Sequence, residues 1–411
     1  MAITFEIQDP IGVISVENFD IQPGLPGEMT IREINIVESL LSPAVQVSAT
    51  IQSNLYKPSG KNFDQFKNQE MSFTLTRKER VKSSMTVSQQ CYRLDHRDFV
   101  VSNIGNAEEM TFHAIDKSVL KDAQSLVSKS WKCTRPSEVV SNVLNECLDA
   151  SETKVGSADP ARDYIAENIH PFQVIAQQAQ VALDGDDPSF VHFMTLNQQT
   201  GEGVHHFESL KSMTQGSSIA TYEYGDSVWT GGPLGGGYQN KFVALSFSFP
   251  CDFDYLSDLL NGIDENGQNK NSGAFINQVF KQMFGMTEGG GGFTNHCGLG
   301  GYNYKEGLSN QATAQQQNSC NLDVESHLLK RQARMGLLER DKIALRIVVP
   351  WNPELHAGKL ITLDWKNRID GSKVYGSGDY LISSMMHTIK FGGFSTTTLD
   401  CVSKTVGQGV V

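Results

Sequence analysis

Histidines, cysteines and clustered carboxylates are the side chains of this 411-residue sequence that could do chemistry, and none of them completes a known site. His205-His206 are neighbours on a stretch with strand character, so their rings point to opposite faces and cannot chelate one metal together. His296-Cys297 and Cys320 offer imidazole and thiolate ligands, but zinc wants four ligands, usually in two tight pairs, and the second pair is missing. Asp184, Asp186 and Asp187 resemble the opening of a calcium loop without its glycine-then-glutamate continuation, and they read better as the stop of a helix. Gly232 and Gly237 have the spacing of a phosphate loop, yet Tyr238 follows where a lysine must reach the phosphates. The sequence holds no Gly-x-Ser-x-Gly and no His-Glu-x-x-His. Carboxylates are plentiful, but nothing marks one pair over another as a glycosidase would require. The expectation is a protein that is not an enzyme, with no catalytic, cofactor-binding or metal residues and no cofactor.

Composition bounds the remaining classes. A formal net charge of −12 argues against affinity for nucleic acid, since phosphate binding needs clustered Lys and Arg; it is compatible with DNA passing by without sticking. With 39% apolar and 19% charged residues the chain is ordinary globular material, and its length calls for more than one domain. No apolar run is long enough to span a bilayer, and the start Met-Ala-Ile-Thr-Phe-Glu-Ile lacks the basic and apolar parts of a signal peptide. Folding in the cytoplasm without a membrane anchor is therefore expected. Cys91, Cys133, Cys147, Cys251, Cys297, Cys320 and Cys401 are odd in number, scattered and without a Cys-x-x-Cys pair, which reads as buried free thiols.

The elements that would position any site are mostly strands. Residues 342–349 alternate Ile343, Leu345, Ile347 and Val349 with polar or small neighbours. Asn352-Pro353 opens a turn that Gly358 closes, and strands follow at 359–365, 379–391 and 394–403. The same order of parts occurs near the N-terminus, at 43–53, 70–76, 88–103 and 107–116, and suggests an internal duplication. Between the two copies, helical spacing predicts helices over 117–128, 134–148 and 170–183, followed by a hairpin at 189–196 and 204–210. A strand at 241–250 carries Val243, Leu245, Phe247 and Phe249 on one face. Short helices are expected at 255–262 and 273–284, in segments rich in Gly, Asn and Gln. A helix at 323–339 has a basic face of Lys330, Arg331 and Arg334, continued by Arg340, that is either solvated or turned to an acidic partner. The fold class expected is α+β and β-dominated, with two similar antiparallel β-barrel domains. The first barrel is 1–116, 117–210 is an α+β insert, and 211–239 is a Gly-rich crossover. The second barrel combines 240–253 with 340–405, and 254–339 is a loop-rich helical insertion.

Two groups of residues, taken in order, resemble the baseplate hub protein of contractile-tailed bacteriophages, the family related to the hub portion of VgrG. One runs His170-Pro171-Phe172-Gln173-Val174-Ile175, then Pro188-Ser189-Phe190-Val191-His192-Phe193 and His206-Phe207-Glu208-Ser209-Leu210. The other comprises Pro353 through Ile361, Ser377-Gly378-Asp379-Tyr380-Leu381-Ile382, His387 and Thr396-Thr397-Thr398-Leu399. The resemblance implies a structural virion protein of the tail baseplate, assembled in the host bacterial cytoplasm. It implies a homotrimer whose two barrels per chain make six quasi-equivalent barrels in a ring. That ring would join a six-fold tail tube protein to a trimeric tail spike, beside baseplate wedge or distal tube-end proteins, with a channel through which DNA passes unbound. The hub-motif and interface residues it implies are Pro353, Leu355, Gly358, Gly378, Tyr380, Leu381, His387 and Thr398. The sequence ends seven residues after Lys404, without a β-helical needle, so the spike is expected to be a separate chain. Alternatives are another tail-tip or distal tail component and, from a different class, a tail-associated cell-wall hydrolase. A carbohydrate-binding module would favour exposed aromatics on loops, and the Gly-rich loops hold few.

Overall fold

The computed structural model describes residues 3–9, 12–21, 29–53, 68–78, 83–101, 105–224, 244–248, 331, 335, 345–367, 372–374, 376–390 and 392–402. The chain opens with seven strands, β1 (Ile3–Asp9), β2 (Gly12–Ile21), β3 (Met29–Ser39), β4 (Gln46–Ser53), β5 (Glu70–Lys78), β6 (Ser83–Val101) and β7 (Gly105–Ile115). Strict alternation builds them: Ile34 and Ile36 on β3, Val47, Ala49 and Ile51 on β4, Met71, Phe73 and Leu75 on β5 all point into one core. The second group comprises β13 (Ala220–Tyr224), β14 (Ser246–Ser248), β15 (Leu345–Pro350), β16 (Leu360–Trp365), β17 (Gly378–Lys390) and β18 (Thr396–Val402). Leu345, Ile347, Val349, Ile361, Leu363, Ile382, Leu399 and Cys401 make its core.

The two groups repeat one pairing order. In the first it is β3-β4-β7-β6-β5-β2, and in the second β14-β15-β18-β17-β16-β13. Register carries the likeness further. Gln90 pairs with Glu70 on one side and Ile115 on the other, and Leu381 pairs likewise with Leu360 and Val402. Each long strand then shows an irregularity at once, between Cys91 and Arg93 in β6 and between Ile382 and Ser384 in β17. A bulge of this kind bends a strand, which is how one strand leaves one neighbour and continues beside another. One difference stands out: β2 joins β5 antiparallel, whereas β13 joins β16 parallel.

Two separate closed barrels were expected; instead a single 13-stranded sheet runs through both groups. The reason lies on β17. Past its bulge, the edge vacated by β16 is taken by β3 of the first group, in register from Ser384↔Ser39 to Lys390↔Glu33. Among the described residues no strand pairing closes either group on itself.

The insert between the groups holds α1 (Lys117–Gln124), β8 (Val127–Thr134), α2 (Pro136–Glu146), β9 (Glu152–Val155), β10 (Arg162–Ile169), α3 (Pro171–Ala179), β11 (Phe190–Leu196), β12 (Gly203–Ser209) and α4 (Leu210–Thr214). Asp116 caps α1 by accepting the Ser118 N–H, and prolines occupy the first turns of α2 and α3. The helix expected over 117–128 stops at Gln124, because Ser125 is already extended (φ −112°, ψ 145°). The apolar spacing that suggested its continuation ended in Leu126, which is exposed, and Val127, which opens β8 and is buried from the strand. The crossover expected over 211–239 contains α4 and β13, while its glycine run at 231–237 lies outside the described residues. So do the helices expected at 255–262 and 273–284. Of the helix expected at 323–339, Arg331 and Met335 are described and helical. Arg331 is turned inward, donating to the carbonyls of Pro188 (2.7 Å) and Phe190 (3.2 Å), and burial pushes its guanidinium down to about 10.

Candidate functional site at the junction of the two halves

The β11–β12 hairpin binds both strand groups at once. At its tip, the carbonyl of Gln198 accepts from the Thr86 N–H (2.8 Å) and that of Gly201 from the Ser88 N–H (2.9 Å), so the turn lies along β6. The Gln89 side chain also donates to Gly201 O at 3.0 Å. Gly201 is at φ +77°, and an added Cβ there would stand 2.5 Å from Ser88 N and 2.6 Å from Val87 C, both backbone atoms. Only glycine lets the two backbones approach this closely. On the other side, the Gln198 amide donates to Pro353 O and approaches His356 Nε2 (3.3 Å).

Glu38 lies at the centre. The alternation Ile34, Ile36, Glu38, Leu40 puts its carboxylate on the core face of β3, where it is fully buried. Its Oε1 accepts from the Leu196 N–H (3.0 Å) and lies 3.2 Å from His356 Nδ1, and its Oε2 accepts from the Ala357 N–H (3.0 Å). Burial would raise this carboxyl, but the adjacent His356 imidazole and the two backbone N–H donors outweigh it and hold it below its ordinary value. The His356 ring thus lies between the two, its Nε2 by the Gln198 amide and its Nδ1 by Glu38. One carboxylate thus joins β3, the hairpin and the 351–358 turn.

Around it the halves share a core. Trp351, from the second half, is fully buried among first-half residues together with Met194 and Leu196 of the hairpin, with the Arg77 guanidinium 5.6 Å from its ring centroid. His387 stands edge-on to Trp351 at 6.4 Å and bonds Thr397 Oγ1 through Nδ1 (2.8 Å); burial pushes its imidazole down to about 3. A neighbouring apolar cluster collects Leu40 of the first half, Val191 and Phe193 of the hairpin, and Leu360, Leu381 and Val402 of the second half.

Of the residues implied by resemblance, Pro353, Gly358 and His387 come to this junction. Gly358 is at φ +81°, with Phe193 2.9 Å from where its Cβ would be, and its N–H bonds Ile382 O at 2.9 Å. Leu381 lies in the shared apolar cluster. Leu355 and Tyr380 belong to the second-half core, where the Tyr380 hydroxyl donates to Gly376 O (2.6 Å). Gly378 starts β17 opposite Leu363, and Thr398 stands in β18 between Met386 and Val348. Sequence reasoning missed Glu38, Gln198 and Gly201. An acid at a core-facing strand position was the signal available for Glu38; the other two carry none.

The histidines of the hairpin divide as their strand positions require. His205 faces His192 (3.1 Å) and Ser118 Oγ (3.0 Å), while His206 bonds Thr195 Oγ1 (2.9 Å). Ser118 Oγ in turn donates to Asp116 Oδ1 at 2.6 Å. The order Asp, Ser, His looks like a hydrolytic relay, but Ser118 is fully buried and spends its proton on the carboxylate. Burial pushes His205 down to about 4 and His192 well below its ordinary value, so both are neutral and structural. Among the described residues no group of three His, Cys, Asp or Glu could hold a metal, and no helix is long and apolar enough to cross a membrane.

The fold is thus β-dominated α+β, with a duplicated strand order and a hairpin clamp between the copies. No family model matches the sequence, and no curated protein sequence matches it. Among solved structures the chain is similar to phage tail and type VI secretion proteins. One is an E. coli component of the type VI secretion system described as structurally similar to T4 bacteriophage tail proteins; identity is 11%, covering 96% of this chain and 79% of that one, with a TM-score of 0.48. A second is the 43 kDa tail protein of prophage MuSo2 from Shewanella oneidensis, at 11% identity over 95% of this chain and 98% of that one, TM-score 0.49. A third is the tail protein from Neisseria meningitidis MC58, at 10% identity over 94% and 95%, TM-score 0.49.

Proposed function

We propose that this chain is a structural component of a contractile phage tail, the central baseplate hub, acting as a symmetry adaptor. Three copies would place six quasi-equivalent strand groups around a channel for DNA, matching a six-fold tube protein on one face and a trimeric spike on the other. The observation that carries the reading is the repeat of one six-strand pairing order in both halves of the chain, registered to the same handover residues, Gln90 and Leu381. A chain with two equivalent units is what a three-fold assembly needs to present six-fold features. The buried clamp at Glu38 supports it by locking the two units at one fixed angle. The domains proposed are the two tube-like units, 1–116 and 240–253 with 340–405, carrying the insert 117–210, the crossover 211–239 and the insertion 254–339. The mechanism is geometric and involves no bond chemistry.

The test is the light-scattering mass of the purified protein with and without a candidate spike chain, followed by negative-stain imaging. A three-subunit ring with six lobes is expected. A monomer that ignores every spike and tube protein, or lysis of purified peptidoglycan, would overturn the hub reading.

A further inference from the structure

Helix α1 is fastened to its surroundings mainly by ionisable groups. Its eight residues are too few for a helix to persist unaided in water, so contacts must hold it. Ser118 is the one buried residue it has, and Val119 packs, partly buried, at the margin of the first core. The other ties are polar. Asp116 accepts from the Ser118 N–H and hydroxyl through Oδ1 and from the Gly203 N–H through Oδ2 (2.8 Å). Ser118 Oγ meets His205 Nε2 at 3.0 Å, and His205 Nδ1 stands 3.1 Å from His192 Nε2. Lys117 bonds Glu202 of the hairpin turn (2.8 Å), and Lys121 bonds Asp149. At the far end Asp122 accepts from the Phe172 N–H (2.7 Å), and His170 Nδ1 reaches the carbonyls of Asp122 and Ser125 (2.8 and 3.0 Å). Phe172 leans on both hairpin rings, 5.3 Å from His192 and 5.9 Å from His205.

We infer that α1 is a proton-released strap: acid lifts Lys117–Gln124 from the hairpin while the β3–β17 seam stays paired. The His192 and His205 rings lie stacked, 5.3 Å apart and 11° from parallel, under Phe172. The gap between their nitrogens has room for one proton, so both rings cannot be charged without parting. Burial pushes His205 down to about 4 and His192 well below its ordinary value. With α1 lifted, His205 returns towards its ordinary 6.5, so the open form takes up the proton first and gains as pH falls. Lys117 and Lys121 hold Glu202 and Asp149 below the ordinary carboxylate range, and these ties weaken in acid too. Asp122 opposes them, since burial raises its carboxyl. Asp116 favours charge on His205 and His206 disfavours it. Glu70, Glu152 and Glu208 are bonded elsewhere, to Ser88, Asn197 and His206, and Lys154 lies by Glu152 (3.9 Å). On the seam, His387 also resists charging, at about 3, and Glu38 beside it is held below its ordinary value. Relieving His387 would require opening the shared core, whereas lifting α1 leaves the apolar cores closed.

Hydrogen exchange of the full chain between pH 7 and pH 4, corrected for the intrinsic rate at each pH, tests the strap. A histidine at about 4 when closed and about 6.5 when open raises the opening equilibrium about a hundredfold over that range. The amides of α1 are therefore expected to lose about a hundredfold in protection and to approach the free rate at pH 4, while those of β3 and β17 remain protected. His205→Gln, which takes up no proton, is expected to remove most of that change. Protection of α1 that is equal at pH 7 and pH 4, or that matches the seam at every pH, overturns the strap. A His205→Gln protein with the parent's pH profile overturns release through the histidine pair. If that variant does not fold, the parent profile decides alone.

Discussion

Replacing Glu38 tests whether the clamp holds the halves together. Glu38→Ala leaves the N–H groups of Leu196 and Ala357 and Nδ1 of His356 facing a dry cavity, where three bonds of 3.0–3.2 Å had been. Removing one side of a buried, charge-assisted network costs about 3–5 kcal/mol, far more than the net worth of the bonds it contained. Glu38→Gln keeps the volume. One end of the amide can still accept, but its NH₂ must point at a backbone N–H, so a loss of about 2–3 kcal/mol is expected. The assay is urea unfolding at pH 7 followed by both fluorescence and circular dichroism, with hydrogen exchange read at Leu196 and Ala357. Because Trp351 of the second half is buried in the first-half core, both probes should shift together. Refutation would be a Glu38→Gln protein within about 0.5 kcal/mol of the parent, the scatter of ordinary surface substitutions. A loss confined to one probe, with exchange at Leu196 unchanged, would likewise show that the carboxylate does not couple the halves.

Three further outcomes follow from the same geometry. Gly201→Ala drives a methyl into the backbone of Val87 and Ser88 at a positive φ, so the hairpin tip should lift from β6, cost about 2 kcal/mol or more, and become cleavable by protease between Asn197 and Gly203. Trp351→Ala should cost about 3–5 kcal/mol by emptying a fully buried indole site, measured as a fall in the urea midpoint at unchanged slope. Acidification should destabilise the fold. His205 has a folded value near 4 against an ordinary 6.5, so the unfolded chain takes up its proton first, and stability present above about pH 6.5 is lost as pH falls towards 4, by about 3 kcal/mol in all. His205→Gln should flatten this slope between pH 6.5 and 4, and an unchanged slope would remove His205 as its source.

Strands at 43–53, 70–76, 88–103 and 107–116, and their counterparts late in the chain, were legible because period-2 alternation is local: each residue type reports which face it takes. The duplication was legible for the same reason, as a repeated order of such segments. The hairpin and the helices opening at Pro136 and Pro171 announced themselves through turn and first-turn chemistry. Their ends were less clear, and the apolar spacing of 117–128 concealed a change from helix to strand at Val127. What the sequence determined alone is therefore the β-dominated class, the repeat, and the absence of a recognisable catalytic motif. Tertiary structure decided how the copies join. No pattern in 29–39 or 378–390 states that β3 will occupy the edge of β17, because backbone N–H and C=O groups are the same at every residue and an edge carries no residue-specific label. Nor could sequence show that Glu38, Gln198 and His356 meet, since their contact depends on three distant elements arriving at one place. The single sheet through both halves, joined where β3 pairs with β17, exists only once the chain is folded.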